Sequence, residues 1–289
     1  MKRVVIGYLY SGIGMGKDEK ILQELTKEKN ADIIMINLSK YINEKKFEEK
    51  IKQCKVVYNS TAEDFAIEYV KTIENFGIRV IDTSTAYYYS EDKWVFYLHC
   101  QHQGIPTPKT ILLSENIYQA KKELLKFNQW PVVLKRVVGT MGEFVDKAKN
   151  LDDAERIIKK FWKKGSQRFP IIAQEYIKSS SYRVLVIDNK IVQSIIKENK
   201  GWKSTGNYAK NFPKFEIDKR LKKIVKKTYK ISKIKVCGID FLKKDNKWFV
   251  LEVNAEPELG FREEERAMIN EKVLNFLIKD ARNHRRTKI

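Results

Sequence analysis

Apolar positions in the first ninety residues recur in two alternating rhythms. Residues 4–10 and 33–37 read as short apolar strands, and between them 18–29 carries Ile21, Leu22 and Leu25 at helical spacing. A strand at 55–58, a helix over 63–76 that turns Ala66, Val70 and Ile73 inward, and a strand at 78–81 continue the pattern. Strands separated by helices predict a small, mostly parallel sheet. Residues 82–92 are polar and aromatic without a clear period. A helix opens at Lys93 and ends before Gly104-Ile105-Pro106-Thr107-Pro108, whose prolines start an extended segment over 109–113.

The middle of the chain predicts a helix (115–127), an apolar strand (131–136), a short glycine-bearing loop, a helix (152–162) and a strand (171–177). Strands at 182–187 and 190–196 follow, then a basic helix (219–231), a hairpin of 236–243 with 248–253, and a last helix over 264–281. Residues 282–289 form a charged tail, expected to fray.

Composition narrows the classes. With 43% hydrophobic and 33% charged residues, 13 Gly and 6 Pro, the chain has a folded globular profile. The 57 basic and 37 acidic residues leave a net charge of +20, which favours anionic partners. Cys54, Cys100 and Cys237 are unpatterned, which argues against a disulfide framework and for a reducing, cytoplasmic setting. No apolar run approaches the length needed to span a bilayer.

Three places carry candidate chemistry. Ser11-Gly12-Ile13-Gly14-Met15-Gly16-Lys17 is a glycine-rich turn between a strand and a helix, yet it fits neither the Walker nor the dinucleotide pattern, so a turn lining a substrate cleft is favoured over nucleotide binding. His99, Cys100 and His102 lack a third ligand that the sequence identifies and read as ordinary helix residues. The strongest signal is the terminal hairpin. Glu252 and Asn254 are two apart on a strand and share a face. If the turn is Asp245-Asn246-Lys247, Lys244 pairs with Trp248 and Asp240 falls opposite Glu252; a two-residue turn would misplace it by one. Two carboxylates and an amide oxygen on one face suit a hard cation such as Mg²⁺, the alternative being a solvated sheet face.

The order of the remaining elements favours the site reading. Lys93 opens a helix, Lys135 ends a strand just before Gly139-Thr140-Met141-Gly142, and Gln174-Glu175-Tyr176-Ile177 ends another, with Arg183 just beyond. Together with the Asp240…Glu252-Val253-Asn254 hairpin, and with 18–22, 74–82 and 104–110, this order resembles the ATP-grasp superfamily over almost the whole chain. Within it the chain is most similar to the RimK/LysX-type carboxylate–amine (glutamate) ligases.

The resemblance implies an α+β ATP-grasp fold with a small N-terminal α/β domain. The expected division is 1–90 for that domain, 91–177 for a central lid-bearing unit, 178–281 for a C-terminal unit and 282–289 for the tail. It implies that Lys93 and Lys135 contact the ATP phosphates under a loop containing Gly139, Thr140 and Gly142. Glu175, with the main chain of Tyr176 and Ile177, would read adenine, and Lys203, Ser204 and Asn207 would add contacts. Asp240, Glu252 and Asn254 would hold Mg²⁺ or Mn²⁺, and Arg183 and Lys210 would steady the acyl phosphate. Phe144, Ser181, Glu256 and Glu258 depart from the family pattern. Phe144 predicts a stiffer lid, and the two glutamates favour a cationic or amine-bearing acceptor. An insertion around Thr205-Gly206 unsettles the register of Asn207.

The implied activity is ATP-dependent amide formation through an acyl phosphate, joining an amino acid to an acidic small molecule, peptide or carrier protein. The expected partners are ATP, a carboxylate, an amine, an acidic carrier protein and a second copy of the chain, with no membrane and no nucleic acid. The rival reading is a basic, non-catalytic ATP-grasp scaffold that docks on the ribosome, RNA or an acidic protein, for which the basic block 219–235 would serve.

Overall fold

The computed structural model describes residues 3–139, 142–163, 170–199, 201–203 and 209–283. Its N-terminal part runs β1 (Val4–Tyr10), α1 (Lys17–Glu28), β2 (Ala31–Asn37), α2 (Glu44–Gln53), β3 (Val56–Asn59), α3 (Ala66–Asn75) and β4 (Arg79–Ile81). The sheet has the order β2-β1-β3-β4 and is parallel throughout, as the alternation of strands and helices predicts. Helices α4 (Ser84–Glu91) and α5 (Lys93–His102) lead out of it.

The central unit contains β5 (Thr110–Leu113), α6 (Ile117–Phe127), β6 (Val132–Arg136), β7 (Val145–Ala148), α7 (Leu151–Lys163) and β8 (Ile171–Glu175). It forms an antiparallel sheet of order β5-β8-β6-β7. The last third comprises β9 (Ser181–Ile187), β10 (Lys190–Lys197), α8 (Lys219–Ser232), β11 (Val236–Lys244), β12 (Lys247–Asn254) and α9 (Glu263–Asn283). Its sheet, of order β10-β9-β11-β12, is also antiparallel.

Three elements carry weak sequence signals. Helix α2 buries only Phe47 and Ile51 among charged residues, and Asn43 caps it by accepting from the Lys46 N–H at 3.1 Å. Helix α4 lies where no period is visible; it starts because the Thr83 hydroxyl accepts from the Ala86 N–H at 3.2 Å. Strand β7 is a short, largely half-buried edge strand with one buried residue, Ala148.

Packing ties α5 to both flanking parts. Phe96, Cys100 and Ile105 share a core with Leu9, Ile73 and Val80 of the N-terminal part and with Val225 and Val250 of the C-terminal part. The central unit's separate core begins at Leu113. The apolar face of α5 is thus covered by α4 and α8, so the helix expected to open the central unit shares the core of the flanking parts. Helix α9 has a comparable bridging role: Ile269, Val273, Leu274 and Leu277 pack with Ile6, Leu22 and Val56 on one side and Leu185 and Val236 on the other. No helix among the described residues is long and apolar enough to cross a membrane.

Candidate active site

The β11–β12 hairpin reaches the expected register by a different route. Its turn is Asp245-Asn246, both in the left-handed region (φ 49° and 56°), so Lys244 pairs with Lys247 and Lys243 with Trp248. Asp and Asn tolerate that region, and two such residues make the tight turn whose twist matches the strands. The expected three-residue turn does not form. A β-bulge supplies the missing residue instead: Phe241 pairs with Val250 and Asp240 with Glu252, leaving Leu251 as the extra position. The bulge thereby brings Glu252 opposite Asp240 despite the shorter turn.

Asp240 is fully enclosed. Arg183 on neighbouring β9 donates to it twice, from Nε to Oδ1 and from Nη2 to Oδ2, both at 2.7 Å. Lys197, at the end of β10 and only 2% exposed, donates to Oδ2 at 2.7 Å. Burial pushes the Asp240 carboxyl up, but the two cations prevail and hold it below the usual carboxylate range. Burial pulls the Lys197 ammonium down, against the attraction of Asp240. Asn254 donates to the Gly238 carbonyl at 3.2 Å and lies 3.4 Å from Asp240 Oδ2. The mutual repulsion expected among these acids is thus relieved at Asp240 by two protein cations. Lys197 went unread in the sequence because it ends an apolar strand and its partner is 43 residues away.

On the facing unit, Lys135, the last residue but one of β6, has its ammonium buried, donating to Gln174 Oε1 at 2.8 Å; Gln174 in turn donates to Thr110 Oγ1 at 3.0 Å. Burial lowers the Lys135 ammonium to about 8. Lys93 sits at the start of α5, capped by the Asp92 side chain, and donates to the Gly139 carbonyl at 2.8 Å. Gly139 (φ 143°) and Gly142 (φ 72°) adopt backbone conformations that only glycine enters without strain. Phe144 anchors the far arm of that loop, edge-on to Phe161 and beneath the Arg136 guanidinium 3.5 Å from its ring centre. Glu175 ends β8, with the Lys109 N–H at 3.4 Å and the Lys244 ammonium at 3.5 Å. Tyr176 follows under the Lys147 ammonium, Ile177 is buried, and Lys203 reaches the Gly142 carbonyl at 3.4 Å.

These residues converge. Among the described residues of the expected set, all but Lys210 line one cavity of about 900 Å³ between the central and C-terminal sheets. Thr140, Ser204 and Asn207 lie outside the described residues. Lys210 lines a separate shallow depression with Glu198 and Phe212. Its N–H donates to the Glu198 carbonyl at 3.0 Å and Asn211 bridges to Glu198, so the returning chain is tied along β10 and Lys210 is carried away from the cavity. Among the described residues there is no cluster of three His, Cys, Asp or Glu suited to a metal, and Cys100 is buried in the core.

The N-terminal wall also differs from expectation. Residues 11–17 do not line the cavity. The Ser11 hydroxyl meets Thr61 Oγ1 at 2.7 Å, Gly12 N–H donates to Ser39 at 2.9 Å and Lys17 bonds Glu263 at 2.9 Å, which ties the turn back against its neighbours. Glu19, Glu63 and Asp64 take its place, with Tyr8, Tyr58 and Tyr87. Glu256 and Glu258 both face the cavity but are not free acids. Asn59 Nδ2 donates to Glu256 at 3.1 Å and burial pushes the Glu256 carboxyl well up, while Glu258 lies 3.6 Å from Arg266.

Residues 90–277 match the RimK-like ATP-grasp domain. The chain belongs to the RimK-like ATP-grasp family. Relatives of this ATP-grasp protein include the coenzyme gamma-F420-2:alpha-L-glutamate ligase of Methanocaldococcus jannaschii, 26% identical over 69% of this chain and 70% of that one. The alpha-aminoadipate–LysW ligase LysX of Saccharolobus solfataricus is 32% identical over 64% of this chain and 69% of its own length. In fold the chain is similar to the D-alanine–D-alanine ligase of Bacillus anthracis solved with ATP, with a TM-score of 0.72 at 19% identity, covering 96% and 97% of the two chains. The ATP-grasp reading of the sequence holds, and the chain is an ATP-dependent ligase that joins a carboxylate to an amine.

Proposed function

We propose that this ATP-grasp ligase uses the cavity to join an amine, such as an amino acid, to an acidic small molecule, peptide or carrier protein. The observation that carries this reading is the convergence on one cavity of Lys93 and Lys135 from one side and of Arg183, Asp240, Glu252 and Asn254 from the other. Lysines in a dry cleft neutralise phosphate charge strongly. Glu175 and the backbone of Tyr176 and Ile177, at the end of β8, offer the polar edge for adenine.

In the reaction, a carboxylate oxygen attacks the terminal phosphorus of ATP and ADP leaves, giving an acyl phosphate. A neutral amine nitrogen then attacks the acyl carbon, the C–O bond to phosphate breaks, phosphate departs with the electron pair, and the nitrogen loses its proton. This chemistry needs positioning and charge neutralisation and no protein nucleophile. Arg183 is held rigid by Asp240, so its remaining donor surface can meet the acyl phosphate without reorganising. The donor set fits Mg²⁺. Glu252 and Asn254 line the cavity wall, and Asp240 Oδ1, which accepts one bond, keeps a second lone pair, whereas those of Oδ2 are taken by Arg183 and Lys197. When bound, that ion neutralises phosphate charge.

The test incubates the protein with ATP, Mg²⁺, mixed amino acids and candidate acidic acceptors, and follows ADP release together with acceptor mass. An acceptor gaining one amine residue minus water, in step with ADP, is the expected result. No amine-dependent ADP release with any acceptor would overturn the reading.

A further inference from the structure

Part of the lining of the cavity is acidic, although the chain carries a net charge of +20. Glu19 at the start of α1, Glu63 and Asp64 in the loop after β3, and Glu91 at the end of α4 all line it. None of the four is in an ion pair with a described residue. Of the lysines on the same wall, Lys71 is spent on Glu68 at 2.8 Å, and Lys93, which bonds the neutral Gly139 carbonyl, keeps its charge and partly offsets Glu91, whose carboxyl burial pushes up. Glu19, Glu63 and Asp64 then leave a net negative field on that wall which a cationic ligand would relieve.

The wall between them is aromatic. Tyr8 and Tyr58 stand with ring centres 5.6 Å apart, and Tyr87 and Tyr88 join them on the lining. Tyr58 is 2% exposed, yet its hydroxyl donates no hydrogen bond to a described residue. A buried phenol left without a partner at a cavity wall offers an oxygen that can accept from an ammonium N–H. Tyrosine faces and edges beside carboxylates are also the surroundings in which an alkylammonium is held, by cation–π attraction and by ion pairing together.

Resting on the ligase reading above, we propose that the amine acceptor carries a second, basic amino group, as in a diamine or an amino acid with a basic side chain, and that this second ammonium sits against Glu19, Glu63, Asp64 and Glu91. The reacting nitrogen enters neutral, attacks the acyl carbon as phosphate leaves, and releases its proton. The distal ammonium keeps its proton throughout and serves only to position the molecule. An anionic amino acid such as glutamate meets the same carboxylates with like charge and is rejected.

Calorimetry on the full chain tests this with cadaverine, L-lysine and L-glutamate as probes, each titrated with and without saturating Mg·ADP. Cadaverine and L-lysine should bind saturably and L-glutamate should not. A Glu63→Gln, Asp64→Asn double variant, altered in an exposed loop, should weaken cadaverine by about fivefold or more, roughly one kcal/mol, and leave Mg·ADP affinity unchanged. Binding of L-glutamate as tight as that of L-lysine, an unchanged cadaverine affinity in the double variant, or no binding of either diprotonated probe would each overturn the assignment. Absence of Mg·ADP binding would instead strike at the ligase reading, and the amine titrations without nucleotide would still decide the acceptor class.

Discussion

At the residue scale, Asp240 and Glu252 look interchangeable in the sequence and are not. Asp240 neutralises two buried cations, so Asp240→Asn strands Arg183 and Lys197 and should destabilise the protein by about 3–5 kcal/mol, read from denaturant midpoints. Glu252 is half-buried and in no ion pair with a described residue, so Glu252→Gln should keep the wild-type midpoint while Mg²⁺-dependent ADP release is lost. Wild-type turnover in Glu252→Gln would remove it from the metal set. Lys135 gives a pH signature. Its ammonium is lowered to about 8 by burial, so it loses its charge as pH rises through that value, and nucleotide affinity should weaken over the same range. Bound phosphate draws the proton back, moving the midpoint upward in the complex. Lys135→Ala should flatten the profile and weaken nucleotide binding on the order of tenfold at pH 7; a profile unchanged in the variant would exclude Lys135 as its source.

At the element scale, the helix most exposed to misreading is α8, whose lysine-rich surface suggests a docking face. Its packing shows a structural task. Asp218 caps it by accepting from the Leu221 N–H at 2.7 Å and also accepts from Trp248 Nε1 at 2.8 Å, which pins α8 to the hairpin that carries Glu252. Asp218→Ala should therefore cost about 1–2 kcal/mol in urea unfolding, and Asp218→Asn distinctly less. Elements with a continuous apolar run, such as β1 and β6, or with apolar residues at helical spacing, such as α3, were legible in the sequence because the signal is local. Helices α2 and α4 were not, since caps rather than apolar stripes begin them. The same division runs through the site. Motif residues at or next to strand ends, such as Lys135 and Glu175, could be read from spacing and resemblance. Lys197, Glu63, Asp64 and Glu91 could not, because only tertiary packing brings them to the cavity, and Lys210 lies off the cavity because the chain after β10 is held to that strand by backbone bonds.

At the scale of the whole molecule, Asp82 joins the outer parts of the fold. It ends the N-terminal sheet, yet both of its oxygens accept from the Lys235 N–H, at 2.8 and 2.9 Å, beside the start of β11. Burial raises its carboxyl to about 7, opposed by those backbone bonds. With the folded value above the unfolded one, the group's favourable contribution is complete below about pH 4 and is lost as pH rises through about 7. Asp82→Asn should therefore gain stability relative to wild type between pH 5 and pH 8, by at most about 4 kcal/mol; a pH-independent difference would exclude Asp82 as the titrating group. The bridging of α9 has a consequence for synthesis. The apolar face formed by Ile6, Leu22 and Val56 is covered by residues 269–281, which are synthesised after the other elements of the fold. The N-terminal part thus carries an unfinished core until α9 is made, and a fragment of residues 1–110 should lack a cooperative thermal transition until the remaining chain is supplied. Folding of the N-terminal part ahead of the rest is closed to this chain, because α9 completes it.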